Sequence, residues 1–573
     1  MELLYVWIED YNNIHHQGFN FSPKHRFHFA PAKDEDGKVT GGTLTHEEIN
    51  PNYPDNFFGE HISNITAIVG KNGSGKSSLI EFLLSFDESN RSYIISYYKF
   101  IIITKDQESV KYKCYSSLLG KQLKHSKHII FESKSQFQFK GVIYYSSSVN
   151  QNRMIATDAT TVDISSNNLI DLYINSDKSK SIDEDSLSAF RYNEIRKQVD
   201  FMLDSRFRSC NINSLLGFKP PKEITLTISF NFKQPITRTN ISDSNNYDYY
   251  YPILPNKKNN NLLEQIIYYS LYSHLGTKEE SLPKYSQVKN QIDYEINEKG
   301  CSPIEICRIL NNGLVRGTFY CTKTTTDEVS YNYGLSIIYS IESNPTEFEK
   351  LLSEKNHWLK IISPIIEWRN LSDGEAAFFS LISRIRDVLE KWKAFPIHYI
   401  ILDEPDARLH PEWHQNLITR FKHFLELLRY DNIALILTTH SPILVSDLPR
   451  ENIIFLDKDA EGKSVVKAPQ DMERTFGANI HSLYRSSFFM NGVMGKFAEE
   501  KIQEVLDCLN GTDQVDEVKK KKVRFIIDQI GEPLIREMLL KKYDMKFHFS
   551  VEDRIEALEK EIVALKAKRD DTN

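Results

Sequence analysis

Residues 65–78 constrain this chain more than any other stretch. An apolar run, Ile65-Thr66-Ala67-Ile68-Val69, leads into Gly70-Lys71-Asn72-Gly73-Ser74-Gly75-Lys76-Ser77-Ser78, and Leu79, Ile80, Phe82 and Leu83 follow at helical spacing. Strand, glycine loop and helix form the order a phosphate cradle requires, and Gly70, Gly75, Lys76 and Ser77 meet the spacing G-x-x-x-x-G-K-[ST]. Each residue type has a physical job. The glycines let the backbone turn until successive N–H groups point at phosphate oxygens. The helix start adds the positive end of its dipole. Lys76 supplies a point charge for the β- and γ-phosphates, and the Ser77 hydroxyl supplies an oxygen ligand for Mg²⁺. All nine residues from Gly70 to Ser78 are therefore expected to contact a nucleotide.

The rest of the composition narrows what such a loop serves. A chain of 573 residues has room for two to four domains. Its formal net charge of −7 offers no global basic field for nucleic acid or an anionic membrane. The six cysteines are scattered without a C-x-x-C pair, so unpaired cytosolic thiols are expected rather than a zinc or redox centre. The N-terminus, Met1-Glu2-Leu3-Leu4-Tyr5-Val6-Trp7, has no basic lead or cleavage site, and the apolar run 93–104 is too short to span a bilayer. The expectation is a cytoplasmic protein with no membrane partner.

Along the chain, residues 1–30 alternate as two strands, and 31–60, rich in Pro, Gly, Asp and Asn, read as an exposed loop. Strand patterns return at 92–104, 128–146 and 224–228, and helical ones at 184–206, 261–275, 302–311 and 346–362. Residues 234–261 have little periodicity and read as a loop. No sustained heptad occurs in 150–360, which argues against a long coiled-coil arm. Near the end, Val551, Ile555, Leu558, Ile562 and Leu565 give about two heptads, enough for a terminal helix packed on its own domain or on a partner.

A second cluster begins at Trp368. Leu371-Ser372-Asp373-Gly374-Glu375 opens a helix; an apolar strand ends in Asp403-Glu404-Pro405; another, 433–437, ends in Thr438-Thr439-His440-Ser441-Pro442; and 453–456 is a further strand. Alternation of this kind predicts a parallel sheet covered by helices. Ligands of such sheets bind at the carboxyl ends of the strands. Asp403 there is placed to hold Mg²⁺ with Ser77, and Glu404 to act as general base on the attacking water. His440 is placed to donate a hydrogen bond to the γ-phosphate. Ser372 and Gly374 offer a hydroxyl, a backbone N–H and a helix start to a phosphate. An Asp-Glu pair alone reads more readily as a solvated turn; the glycine loop in the same chain reverses that reading.

Taken in order, Gly70–Ser78, Leu371–Glu375, Ile400-Ile401-Leu402-Asp403-Glu404, Asp406–His410 and His440 resemble the ABC-type ATPase head. The resemblance covers roughly residues 1–150 and 365–460. It implies an α/β P-loop head: a mixed N-terminal β lobe and a parallel sheet with helices, carrying a large mixed or helical insertion and a helical C-terminus. The implied boundaries are lobe I with the glycine loop at 1–150, an insertion at 151–364, lobe II at 365–470 and a helical region at 471–573. The signature segment departs from the common LSGGQ form at Asp373 and Glu375 but keeps Ser372 and Gly374. Gln151 is the candidate for the family's Q-loop. Within the superfamily, Glu404-Pro405-Asp406-Ala407-Arg408-Leu409-His410-Pro411-Glu412-Trp413 looks like the matching segment of RecF-, SMC- and OLD-like ATPases. The stretch Thr475-Phe476-Gly477-Ala478-Asn479-Ile480, with Ser487-Phe488-Phe489 and Gly495-Lys496-Phe497-Ala498, is similar to ATPases of anti-phage defence loci, the Septu and retron-associated families among them.

The resemblance implies ATP and Mg²⁺ as ligands, with catalytic roles for Lys76, Glu404 and His440. It also implies a head-to-tail sandwich in which Ser372 and Gly374 of a second copy close over the nucleotide, hence a homodimer or higher homo-oligomer. The expected function is an ATP-hydrolysing sensor or regulator in anti-phage defence that controls a separate nuclease or toxin. The alternative is a repair or recombination ATPase that clamps DNA directly. A transporter ATPase subunit is disfavoured by the large insertion, and a non-catalytic scaffold by the intact Lys76, Asp403, Glu404 and His440.

Overall fold

A computed structural model describes residues 1–86, 90–106, 109, 111–118, 123–124, 128–148, 161–176, 184–208, 212–232, 249–253, 260–274, 285–297, 303–325, 329–342, 345–352, 364–392, 398–489, 494–511, 515–547, 555 and 559. Its centre is a seven-stranded sheet in the order Thr161–Asp163, Val142–Ser146, Tyr399–Asp403, Ile433–Thr438, Ile62–Gly70, Ile453–Lys458, Ser464–Lys467. Every neighbouring pair is parallel except the last. The sequence pattern explains the layering. Ile143, Ile400, Leu402, Leu435, Leu437, Ala67 and Val69 face one core, whereas Val142, Tyr399, Ile401, Ile436 and Ile68 face another. Successive strand residues point to opposite faces, so a strand buried on both reads as a continuous apolar run.

The two faces are covered differently. Helices Asp373–Lys391 and Leu417–Leu428 supply Phe379, Ile382, Ile385, Phe421 and Leu425 to the first core. Helix Lys76–Leu84 supplies Leu79, Ile80, Phe82 and Leu83 to the second, which it shares with the N-terminal sheet. That sheet runs Ile14–Asn20, Glu2–Tyr11, Phe100–Lys105, Tyr112–Ser116, Ile129–Ser133. Its first strand is also buried on both faces: Leu3, Val6 and Ile8 meet the second core, while Leu4, Tyr5 and Trp7 meet a third with Phe27 and Phe29. A register shift between Leu3 and Tyr5 against Phe100–Lys105 accommodates the break in alternation.

Three local expectations change. Within 234–261, expected as a loop, Tyr249–Ile253 is a strand paired antiparallel with Leu314–Thr325. Residues 31–60 are not one loop: Val39–Glu48 pairs antiparallel with His25–Lys33. Val39 and Leu44 enter the third core while Thr40, Thr43 and Thr45 stay exposed. The polar outer face and Gly41-Gly42 diluted the strand signal. Residues 92–104 are not all strand: Arg91–Tyr97 is a helix that buries Ile94 alone, with Tyr93 and Tyr97 exposed, and the strand starts at Phe100. Its aromatic and β-branched content reads as strand because propensity is a weak prior that tertiary context overrides.

Inserted in the chain between Thr161–Asp163 and Tyr399–Asp403 is a separate five-stranded antiparallel sheet, Tyr249–Ile253, Leu314–Thr325, Val329–Ser340, Glu223–Phe232, Ile365–Trp368. Helices Asn260–His274, Tyr285–Asn297 and Pro303–Asn312 build its core through Ile266, Tyr269, Ile292 and Leu310. Its edge strand Ile365–Trp368 runs directly toward Leu371–Glu375, and helix Glu184–Leu203 packs on helix Asp373–Lys391. The chain divides into two compact units, Met1–Phe489 and Met490–Asn573. In the second, helices Lys496–Asn510, Glu517–Gln529 and Pro533–Phe547 enclose Val505, Leu509, Val523, Ile527, Leu539 and Tyr543. Gln151, Val551, Leu558, Ile562, Leu565 and most of 234–261 lie outside the described residues.

Candidate nucleotide site at the carboxyl edge of the sheet

Parallel register brings the sequence clusters to one edge. Asp403 pairs with Thr438, Thr438 with Ile68, and Leu456 with Gly70, so the glycine loop, Asp403-Glu404 and Thr438-Thr439-His440 all leave the sheet at its carboxyl end. The loop's shape depends on glycine where it leaves the strand. Gly70 has φ +156°, and a Cβ there would stand 2.0 Å from the Leu456 carbonyl oxygen. Gly75 caps the helix Lys76–Leu84 in a left-handed conformation. The buried Lys76 ammonium donates to the Gly70 and Lys71 carbonyls at 2.9 and 3.1 Å. Burial pulls its pKa below the usual lysine value, against the opposing charges of Glu404 and Asp403. An ammonium has three donors, and two are met by these carbonyls.

The loop is braced by residues that the motif does not contain. Asn13, at the turn between the first two strands, donates from Nδ2 to the Gly73 carbonyl at 2.9 Å and accepts from Ser78 Oγ at 3.0 Å. Ser464 Oγ donates to the Ser74 carbonyl at 2.7 Å. Lys71 pairs with Asp457 at 3.0 Å, its Nζ standing 5.7 Å from the Phe489 ring centroid, and Lys458 donates to the Asn72 carbonyl. Burial opposes ionisation of Asp457, but the Lys458 N–H and Lys71 hold its carboxyl below the usual range. Asn13 reads in the sequence only as a turn residue, and Ser464 and Asp457 carry no motif, so pattern alone does not find them. Ser74 Oγ is buried with no partner among the described residues.

Asp403 and Glu404 are organised by Thr438. Its hydroxyl donates to Asp403 Oδ1 at 2.6 Å and accepts the Glu404 N–H at 2.9 Å. Glu404 sits at φ +52°, a left-handed conformation uncommon for a non-glycine residue. Such conformations persist only where the surroundings enforce them, and they cluster at functional sites. The side chain, partly exposed, meets His440 Nε2 at 3.5 Å. Next along, Thr439 Oγ1 donates to Asp406 Oδ2 at 2.8 Å, and burial raises the Asp406 pKa. His414 ties this turn together, with Nδ1 on Ser441 Oγ at 2.8 Å and Nε2 between the Asp406 and Leu409 carbonyls at 3.1 Å each. Replacing Thr438 by Val should strand the Asp403 carboxylate and the Glu404 N–H. The expected cost is about 2 kcal/mol, read from urea unfolding midpoints at constant slope.

The signature segment is arranged differently. Ser372 caps helix Asp373–Lys391 in a capping box: its Oγ accepts the Glu375 N–H at 3.3 Å and donates to Glu375 Oε2 at 2.8 Å, and its own N–H reaches the same carboxylate at 2.8 Å. A Cβ on Gly374 would lie 3.1 Å from the Arg408 carbonyl, so the helix start rests on the turn after Glu404. Among the described residues no hydrogen bond or ion pair joins Ser372, Asp373 or Gly374 to residues 70–78. The structure thus unites Lys76, Asp403, Glu404 and His440 around one edge and presents Ser372 to solvent.

The donor set fits a magnesium–nucleotide. Glycine backbone, an ammonium and the orphaned Ser74 hydroxyl suit phosphate oxygens, and the Ser77 hydroxyl with the Asp403 carboxylate offers hard oxygen ligands. Residues 362–446, from the signature segment through His440, match the family described as "AAA domain, putative AbiEii toxin, Type IV TA system". The chain is also 30% identical over 122 residues to the Septu protein PtuA of Bacillus mycoides, covering 21% of this chain and 16% of that one. It is 30% identical over 95 residues to the Retron Vc95 probable ATPase of Vibrio cholerae, covering 16% of this chain and 18% of the relative. The matches thus span under a fifth of these relatives' lengths. The SMC head domain from Thermotoga maritima overlays at 10% identity and a TM-score of 0.24, covering 82% of this chain and 98% of that one. Among the described residues no helix is long and apolar enough to cross a membrane.

Proposed function

We propose that this chain binds ATP with Mg²⁺ on residues 70–78 and hydrolyses it, and that the ATP state closes a homodimer which controls a separate nuclease or toxin in bacterial anti-phage defence. The observation that carries the hydrolytic reading is the Thr438 hydroxyl, which fixes Asp403 and Glu404 beside Lys76 while Glu404 holds a left-handed backbone. Ser77 and Asp403 would hold the metal, which when bound neutralises charge developing on the phosphate oxygens. Lys76 would draw the terminal phosphates to the loop. Glu404 would take the proton from the attacking water, and His440 would orient that carboxylate and donate to the phosphate. The defence assignment is supported by the AAA domain and by the Septu and retron relatives.

Lys76→Ala is expected to weaken ATP binding about 100-fold, because a buried charge-assisted contact is lost, and titration calorimetry reads this directly. Closure is tested separately. Ser372 is exposed, so Arg there costs little more than the helix cap, about 1 kcal/mol. Ser372→Arg should retain ATP on the loop but remain monomeric with Mg-ATP by light scattering, where the unmodified chain shifts to dimer. Retained dimerisation would remove Ser372 from the interface. Affinity for duplex DNA that falls steeply with salt would favour a direct DNA clamp.

A further inference from the structure

The unit Met490–Asn573 leaves an apolar helix face open to solvent. Helix Pro533–Phe547 turns Leu539 and Tyr543 into the unit's own core, while Leu534, Met538 and Met545 stand 76%, 52% and 76% exposed. Successive members are four and seven residues apart, so the three share one face of the helix. Single exposed apolar side chains are ordinary, but three in line make a stripe that a partner can cover. The charge around this stripe is basic. Pro533–Phe547 carries four cations and two acids. The neighbouring helix Glu517–Gln529 carries five cations and two acids, and its Arg524 lies over the Tyr543 ring, 5.9 Å from the centroid.

The same chain holds a segment of opposite character. Val551, Ile555, Leu558, Ile562 and Leu565 alternate spacings of four and three, and residues 551–565 carry five acids and two cations. As a helix the segment would run about 21 Å, enough to cover a stripe of about 16 Å. Ile555 and Glu559, its two described residues, are helical, and Ile555 is 51% exposed, so its own unit does not enclose it.

We propose that residues 551–565 of a second copy dock as an amphipathic helix on the stripe Leu534–Met538–Met545, with their acids toward the lysines and arginines of the two basic helices. The apolar residues at i, i+4, i+7 and i+11 are the anchors such a helix offers to an apolar face. Exchange is mutual, each copy giving its segment to the other, so the contact closes on a two-fold axis and stops at a dimer. It needs no nucleotide and is independent of the ATPase reading. The apolar area is small, and ordering the segment opposes it, so a Kd of about 100 µM is expected. Micromolar chain therefore stays monomeric until Mg-ATP is added.

Sedimentation equilibrium of the full chain without nucleotide, from about 10 to 500 µM, is expected to show a monomer–dimer equilibrium that weakens as salt rises. Met538→Lys on the exposed stripe and Ile562→Lys on the segment should each weaken it about tenfold or more, because each puts a charge into an apolar contact. A mixture of the two variants should dimerise more tightly than either alone, since one intact segment then meets one intact stripe. Absence of a dimer up to about 500 µM, the result of a segment folded back on its own stripe, overturns the proposal. So does a dimer that Ile562→Lys weakens and Met538→Lys leaves unchanged, which is the two segments pairing with each other. A mixture no tighter than either variant overturns it as well.

Discussion

Glu404→Gln is expected to slow ATP hydrolysis by about 10²- to 10⁴-fold, the usual weight of a general base, while ATP affinity stays within about twofold. The two side chains have the same shape, so the turn survives: the backbone N–H keeps its bond to Thr438 and the left-handed φ is still imposed by Asp403 and Asp406 on either side. What is lost is a carboxylate able to take a proton beside His440. Single-turnover phosphate release with saturating Mg-ATP measures the chemical step free of product dissociation. Because bound ATP then persists, the variant should also hold the closed dimer that Ser372→Arg prevents. Hydrolysis equal to that of the unmodified chain would remove Glu404 from the base role and leave its backbone geometry to be explained by the Asp403–Thr438 contact alone.

The parts of this site that a sequence can announce are those whose chemistry demands one residue type at a fixed spacing. The loop 70–78 is such a case, since only glycine tolerates the Leu456 carbonyl beside Gly70. The strand ends at Asp403 and His440 are another, because apolar runs fix where strands stop. The bracing is not legible. Asn13 reaches the loop from a turn about 60 residues away in the chain, and Ser464 and Asp457 from strands about 390 away, and nothing local marks them. Thr438 is intermediate: it stands in a motif, but its bond to the Glu404 N–H depends on the register between two strands. The fold shows the same division. Alternating burial on the parallel strands follows from their apolar runs, whereas in the inserted antiparallel sheet only the strand around 224–228 shows in the sequence, and its partners are set by long-range pairing.

Arg384→Met is expected to lower stability by about 3 kcal/mol, the lower end for breaking a buried ion pair. Arg384 sits on the signature helix and is almost wholly buried. It donates from Nε to Glu194 Oε2 at 2.7 Å, from Nη1 to the Ile164 carbonyl at 2.8 Å and from Nη2 to Ser166 Oγ at 3.1 Å. It therefore joins helix Asp373–Lys391 to helix Glu184–Leu203 and to the edge of the central sheet. Removing it leaves the Glu194 carboxylate in a low-dielectric setting with Lys197 at 3.3 Å as its ion partner among the described residues, which is why the lower figure applies. The control is the double variant Glu194→Met with Arg384→Met, which buries apolar surface in place of charge and should recover a large part of the loss. Gln198 bridges the same helices, accepting from Trp368 Nε1 at 2.6 Å and donating to Ser380 at 2.9 Å. The contact is thus a seam rather than a single bond, and it binds the inserted sheet to the helix that starts at Ser372. If the seam positions that helix, Arg384→Met should also shift ATP-driven dimerisation to higher ATP concentration at temperatures where the chain is still folded. The double variant separates the two effects: recovered stability without recovered dimerisation would mean that the charge itself, and not the packing, sets the helix for closure.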